Sequence, residues 1–203
     1  MNRKKTLVVL VGGLALGCVV NQVSGGLVTW QFAGEITSVT DVDGSLGGVF
    51  SIGTPFSGMY TFESTTPDTF PDILDSGLYE GAVTSISGMV GDVVFSAFSS
   101  SPGRIYVSDD NAGDGYSVSG ATVFLGAPVA FGLRLGDSTG TIFSDNSLPL
   151  TPPDLRSLDN MLFLLVLEPD GDALVGELTA LVPDPTTLAL LVAGALFVIR
   201  RKR

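Results

Sequence analysis

Alternation of apolar and polar residues dominates the central part of the chain. In residues 28–32 and 56–62, large apolar side chains occupy most of the alternate positions. The same period of two continues through residues 131–135. Because successive side chains of a strand point to opposite faces, this pattern predicts strands with one buried face.

Turns rich in Gly, Asp and Pro divide this pattern into ten predicted strands, and no amphipathic helix is predicted among them. The strands lie near residues 27–39, 55–63, 77–89, 92–98, 104–108, 115–119, 121–125, 129–136, 160–168 and 173–182. Many short antiparallel strands with Gly-rich turns are typical of a β-sandwich or jelly roll. We therefore expect an all-β, antiparallel fold of that kind.

Three segments depart from simple alternation. Residues 161–167 are apolar throughout, which predicts a central strand covered on both faces. Residues 64–76 and 144–159 carry several prolines and are predicted to be long surface loops. Loops of this length usually pack as ordered surface structure or serve binding.

The N-terminal apolar run belongs to a targeting segment. Basic residues 3–5 precede an apolar stretch over 6–20, and small residues end at Gly25. This order predicts a secretory signal peptide over residues 1–25, cleaved after Gly25 by signal peptidase during export by the secretion machinery. Two alternatives stay open, an uncleaved signal anchor and lipidation at Cys18.

The C-terminal apolar run is short and is followed by basic residues. The chain reads Val182, Pro183, Asp184, Pro185 and two threonines (182–187), an apolar run over 188–199, then Arg200, Arg201, Lys202 and Arg203. As a helix, residues 188–199 span about 18 Å against a hydrocarbon core of about 30 Å. The basic end would stop the chain on the cytoplasmic side. These features predict a short transmembrane helix that is a marginal anchor.

This tail resembles the PEP-CTERM sorting signal, which has also been catalogued as an ice-binding protein C-terminal domain. Asp184 stands where that family usually has Glu. The resemblance implies processing by an exosortase, transient residence in the inner membrane, and then the cell envelope, outer surface or extracellular matrix of a bacterium that often makes exopolysaccharide and biofilm. Body segments also resemble uncharacterised members of the family, without implying an activity: 56–62, 79–82, 115–118, 135–140 and 152–155.

Charge separates the body from the two ends. The mean hydropathy of +0.45 is high because of the terminal segments. The predicted β-sandwich domain, residues 26–182, holds three arginines and 20 acidic residues, a net charge of −17. Such a body repels nucleic acid, which we exclude as a partner. The sorting tail is assigned to residues 183–203, with its motif beginning at Val182.

The body contains no His, Cys or Lys. Serine, cysteine and Ser-Lys nucleophile systems therefore cannot be assembled, and zinc sites with His or Cys ligands are excluded. A pair of carboxylates, as in glycoside hydrolysis, is the chemistry left. The available glutamates are Glu35, Glu63, Glu80 and Glu168, and nothing in the sequence pairs them. We expect no catalytic activity and no cofactor.

Acidic turns raise the question of calcium. Residues 109–115 begin like an EF-hand loop, but Gly113 occupies the fifth position and Asp114 stands where Gly is needed. Residues 41–44 form a shorter acidic turn. We interpret both as turns and expect no specific metal site.

Four aromatic residues are candidates for stacking on sugars: Trp30, Tyr79, Tyr106 and Tyr116. The alternation around Trp30 places it in the core instead. The sequence thus favours an exported, exosortase-processed envelope or matrix protein without catalytic activity. The alternative is a carbohydrate-binding β-sandwich module, with exopolysaccharide as its partner.

Overall fold

A computed structural model describes residues 26–185 except 43, 45, 47, 98–102, 111–112 and 168–170. The strands are β1 (Leu27–Thr40), β2 (Pro55–Glu63), β3 (Ser76–Val90), β4 (Val93–Ala97), β5 (Gly103–Asp110), β6 (Gly113–Phe124), β7 (Ala127–Asp137), β8 (Asn160–Leu167) and β9 (Asp172–Pro183). A single 3₁₀ turn, Leu155–Ser157, precedes β8. The predicted strands at 115–119 and 121–125 are one continuous strand, β6.

The strands form a closed antiparallel barrel with eight positions. β4 and β5 lie end to end between β3 and β6, so together they fill one position. Every other strand pairs with its neighbours along the chain. The ring closes where β9 pairs with β1, from Thr40 opposite Ala173 to Trp30 opposite Pro183.

The predicted sandwich or jelly roll is therefore wrong. Alternation shows only that each strand buries one face, and this holds equally for two packed sheets and for a barrel wall. The difference lies in the pairing of the first strand with the last, which leaves no open edge. That pairing joins residues about 140 positions apart, so the local alternation of apolar and polar residues cannot reveal it.

Aromatic rings fill the barrel interior, and the predicted core position of Trp30 is confirmed. The largest fully buried side chains include Trp30, Tyr60, Phe62, Phe95, Tyr116 and Phe163. Phe56 and Phe163 stack with ring centroids 4.1 Å apart. Inward-facing glycines make room for these rings, as at Gly176, where an added Cβ would lie 2.4 Å from Phe56 Cε1. The barrel is held by a packed core rather than built around a ligand chamber.

β8 is not covered on both faces, as its apolar sequence predicted. Phe163 and Leu165 are fully buried, but Leu162 is 36% exposed and Leu164 is half-buried. β8 is one strand of the barrel wall, so only one of its faces can point to the core. Its other face adds apolar side chains to the outer surface.

The two long loops pack together at one end of the barrel. Asn146 Nδ2 donates to the carbonyl oxygens of Ile73 at 3.0 Å and Ser76 at 2.9 Å. The Tyr79 hydroxyl donates to the Asn146 carbonyl at 2.8 Å. Both predicted long loops are thus tied into ordered structure.

The two ends of the described chain meet at this same end of the barrel. Gly26 precedes β1, and Asp184 follows β9 with its amide donating to the Thr29 carbonyl at 2.9 Å. Within the described residues no helix is long and apolar enough to cross a membrane. The predicted signal peptide (1–25) and apolar helix (188–199) lie outside them.

Candidate functional site

The predicted sorting motif, which starts at Val182, begins within the last strand of the barrel wall. Val182 and Pro183 are the last two residues of β9, and they lie opposite Gln31 and Trp30 of β1. Gln31 Nε2 donates to Asp184 Oδ1 at 3.2 Å. Pro185, the last residue described, is exposed. Gly25 and the basic end, Arg200, Arg201, Lys202 and Arg203, lie outside the described residues.

The candidate glutamates do not form a catalytic pair. Glu35, Glu63 and Glu80 lie on three different strands, and Glu168 lies outside the described residues. A pair that the sequence analysis missed is Glu35 and Glu177, directly opposite each other on β1 and β9. Both are exposed on the outer wall, whereas the general acid of a glycosidase depends on burial to hold its proton.

Two buried aspartates, Asp114 of the acidic turn and Asp137 at the end of β7, hold a loop. Asp114 and Asp137 lie opposite each other at the ends of β6 and β7. Asp114 Oδ2 accepts from the amides of Ile142 at 2.6 Å and Phe143 at 2.8 Å, while its Oδ1 is buried without a partner. These bonds fasten the start of the β7–β8 loop to the barrel rim.

The Asp137 carboxylate accepts hydrogen bonds from two residues of the same loop. Its carboxylate accepts from the amides of Thr141 at 3.0 Å and Thr139 at 2.9 Å, and from both threonine hydroxyls. These bonds, that from the Thr141 amide above all, lower the pKa of Asp137 to about 2. Among the described residues there is no group of three or more His, Cys, Asp or Glu placed to hold a metal ion.

Of the four aromatic candidates, only Tyr106 is available to a ligand. Trp30, Tyr79 and Tyr116 are at most 6% exposed, while Tyr106 is 42% exposed. Tyr106 lies on β5 with its side chain on the outer face, because Ile105 and Val107 on either side of it point into the core. The candidate site is therefore on the outer wall around Tyr106.

Two rows of outward side chains run across the strands there. Each row follows directly opposite residues on β3, β5, β6, β7 and β8. The first row is Leu78, Tyr106, Ser117, Arg134 and Leu162; the second is Glu80, Arg104, Ser119, Gly132 and Leu164. Neighbouring rows are two residues apart along each strand, about 7 Å.

The residues in the middle of both rows have small side chains, and most of those toward the two sides have large ones. Ser117, Ser119 and Gly132 on β6 and β7 leave an open depression of about 400 Å³ on the outer wall. A second depression, of about 700 Å³, adjoins the first at Arg104. Arg104 lines both depressions, and Glu80 lines only the second. We call the first depression, lined by Leu78, Arg104, Tyr106, Ser117, Ser119, Gly132, Arg134 and Leu164, the outer trough.

Positive charge is concentrated at the outer trough. Arg104 and Arg134 are two of the three arginines of the body. Arg104 Nε donates to Ser119 Oγ at 3.2 Å, which directs its side chain across the trough floor. In the part of the chain that the structure describes, neither guanidinium makes an ion pair, although Glu80 lies directly opposite Arg104. Both charged groups are therefore open to a ligand.

No single signal in the sequence marks this trough. Small residues on the polar positions of 115–119 and 130–136 hint at a low surface, but only the strand register places them beside Tyr106 and the two arginines. No protein-family model, curated protein or solved structure matches the chain. The argument for function therefore starts from the chain's own residues.

Proposed function

We propose that this chain is an exported, non-catalytic protein of the bacterial cell envelope or extracellular matrix. Its C-terminal segment is processed by an exosortase after a transient stay in the inner membrane. The proposal is supported by the two targeting segments and by a body that lacks His, Cys and Lys. It is further supported by the exposure of both members of the opposed pair Glu35 and Glu177.

The observation that carries the proposal is the meeting of the chain ends. Asp184 is hydrogen-bonded to Thr29 and Gln31 near the start of β1, so Gly26 and Pro185, the first and last residues described, lie at the same end of the barrel. Two membrane-directed segments can then lie in one membrane while the whole barrel stays on one side of it. If the two chain ends lay at opposite ends of the barrel, the folded body would lie between the two membrane-directed segments.

The mature chain from its native host tests this proposal. Mass spectrometry of the purified protein should find the N-terminus at or next to Gly26 and a C-terminus near Pro183, Asp184 and Pro185. The outer-envelope or extracellular fraction should contain this shortened form. If the native protein keeps Arg203 and stays in the inner membrane of a host with an active exosortase, the tail is only an anchor.

A second candidate function, carbohydrate binding, is favoured by the outer trough. An exposed tyrosine beside an open depression can stack on a sugar ring while Ser117 and Ser119 hydrogen-bond to its hydroxyls. On a glycan array, Tyr106→Ala should lose the binding of the parent chain. Tyr106→Phe keeps the aromatic ring and is the matched control, so it should retain most of it.

A further inference from the structure

We propose that the outer trough selects polysaccharides that carry carboxylate groups, that is, polyuronates. This inference rests on the proposed carbohydrate-binding function and adds the chemical class of the ligand. It is drawn from the two arginines, whose charge is not needed to bind a neutral sugar. The positions of the two arginines relative to Tyr106 indicate that the ligand is an extended chain of sugars.

The backbones of the two arginines lie in different directions from Tyr106. Arg134 lies two strands from Tyr106 across Ser117, a backbone separation of about 10 Å. Arg104 and Arg134 are two strands and one row apart, which places their backbones about 12 Å from each other on a diagonal of the trough. From the backbone of Tyr106, Arg104 thus lies about 7 Å away along β5, and Arg134 lies about 10 Å away across the strands. A chain of sugars stacked at Tyr106 would pass within reach of both arginine side chains.

Charge complementarity identifies the ligand as anionic. The body carries 20 acidic residues and three arginines, so most of its surface repels an anion. Two unpaired guanidinium groups on one depression make that depression the exception. A guanidinium matches a carboxylate in a bidentate geometry, and the pair is stronger than a neutral hydrogen bond. At physiological ionic strength, screening over about 8 Å weakens the repulsion from distant acids.

Glu80 would tune this selectivity. It lies directly opposite Arg104 and lines the depression beyond it, so its carboxylate is the nearest acidic group to the arginine along that row. A carboxylate ligand at Arg104 would meet this negative charge. Removing the charge of Glu80 should therefore strengthen anion binding, whereas binding of a neutral sugar should hardly change.

The observations favour a polysaccharide over other anions. Nucleic acid binding needs many phosphate contacts from Lys and Arg, and the body has three arginines in total. The floor presents the hydroxyl groups of Ser117 and Ser119, and the apolar side chains of Leu78 and Leu164 lie to either side. Hydroxyl groups on the floor beside an aromatic ring suit a chain of sugars.

Isothermal titration of the full chain in mild detergent tests the inference. The probes are an oligogalacturonate and the same oligomer after reduction of its carboxyl groups. EDTA is present throughout, because calcium could bridge a polyuronate to the acidic body. The parent chain should bind the acidic oligomer at least tenfold more tightly than the reduced one. Arg104→Gln and Arg134→Gln should each lose most of that preference, and Glu80→Gln should increase it.

Arg156→Gln is the matched control. It removes the same charge from the 3₁₀ turn before β8, outside the outer trough, and should leave the preference unchanged. A loss equal to that of Arg134→Gln would show non-specific electrostatic attraction and overturn the inference. Equal binding of both oligomers would also overturn it while leaving carbohydrate binding intact. Binding of neither oligomer, together with a blank glycan array, would contradict both.

Discussion

The hydroxyl groups of Tyr60 and Tyr116 form a hydrogen bond of 3.0 Å across the barrel interior, between β2 and β6. Trp30 packs against both rings, with centroids 5.8 Å and 5.5 Å away. Both tyrosines are at most 2% exposed, so each hydroxyl has its partner inside the core and not in solvent. This contact links strands that are not neighbours in the wall.

Raising the pH should unfold the barrel through these tyrosines. Burial raises the pKa of both, and for Tyr60 the nearby Tyr116 raises it further. In the unfolded chain tyrosine ionises near pH 10. The folded state therefore binds more protons above that pH, and its stability, complete below about pH 10, falls as the pH rises further. The absorbance of tyrosinate should rise for this pair together with the change in Trp30 fluorescence. Ionisation of the pair before any unfolding would contradict this expectation.

The same contact should show strong coupling between two substitutions. Tyr60→Phe or Tyr116→Phe leaves one buried hydroxyl without its partner and should cost about 1–3 kcal/mol of unfolding free energy. The double variant removes both hydroxyls and should cost less than the sum of the two single changes. Urea denaturation of the four proteins gives the coupling energy. Additive losses would show that the hydroxyls are solvated separately.

Acid should weaken the barrel rim at Asp137. Its pKa is lowered to about 2 by the amides and hydroxyls of Thr139 and Thr141. The stability that this depressed pKa provides is complete above about pH 4 and is lost as the pH falls toward 2. Asp137→Asn should therefore flatten the dependence of the denaturation midpoint on pH in this window. Asp92→Asn, an exposed carboxylate in the β3–β4 turn, is the control and should leave that dependence nearly unchanged.

A methyl group at Gly176 should destabilise the core. The added Cβ would lie 2.4 Å from Phe56 Cε1 and 2.8 Å from the Glu35 carbonyl oxygen, and the backbone oxygen cannot move away alone. We expect Gly176→Ala to cost about 1–3 kcal/mol or more. The matched control is Gly132→Ala on the outer face, where the nearest atom to the new Cβ is 3.7 Å away. Thermal denaturation should separate the two, and equal midpoints would show that the interior has room to spare.

The sequence predicts the positions of the strands in this barrel better than it predicts how the strands pair. The alternation around Trp30 and Phe32 marks β1 and its buried face, because the period of a strand is a local property. Closure depends on the pairing of Trp30 with Pro183, which joins the first strand to the last. The outer trough depends on the register that places Tyr106 opposite Ser117 and Ser117 opposite Arg134. Register decides both, and no short window of sequence contains it.

The same limit explains what the chemical reasoning could and could not reach. The absence of His, Cys and Lys from the body follows from composition and needs no structure. The opposition of Glu35 and Glu177 could not be expected, because one lies on the first strand and the other on the last. Exposure or burial was predicted for one of the four aromatic candidates, because alternation placed Trp30 in the core. The sequence did not single out Tyr106, which points outward because Ile105 and Val107 are buried.

The final prediction concerns Asp184, which the barrel holds through Gln31 and Thr29. If an exosortase recognises the carboxylate, Asp184→Ala should leave full-length precursor in the inner membrane, and Asp184→Glu should be processed as well or better. Deleting residues 200–203 should let the chain slip through the membrane unprocessed. Gln31→Ala separates recognition from docking, because it removes the hydrogen bond from the Gln31 side chain to Asp184 and leaves the motif intact. It should keep or raise the processed fraction, measured by mass spectrometry of the C-terminus. Full processing of Asp184→Ala would show that the exosortase does not need the carboxylate.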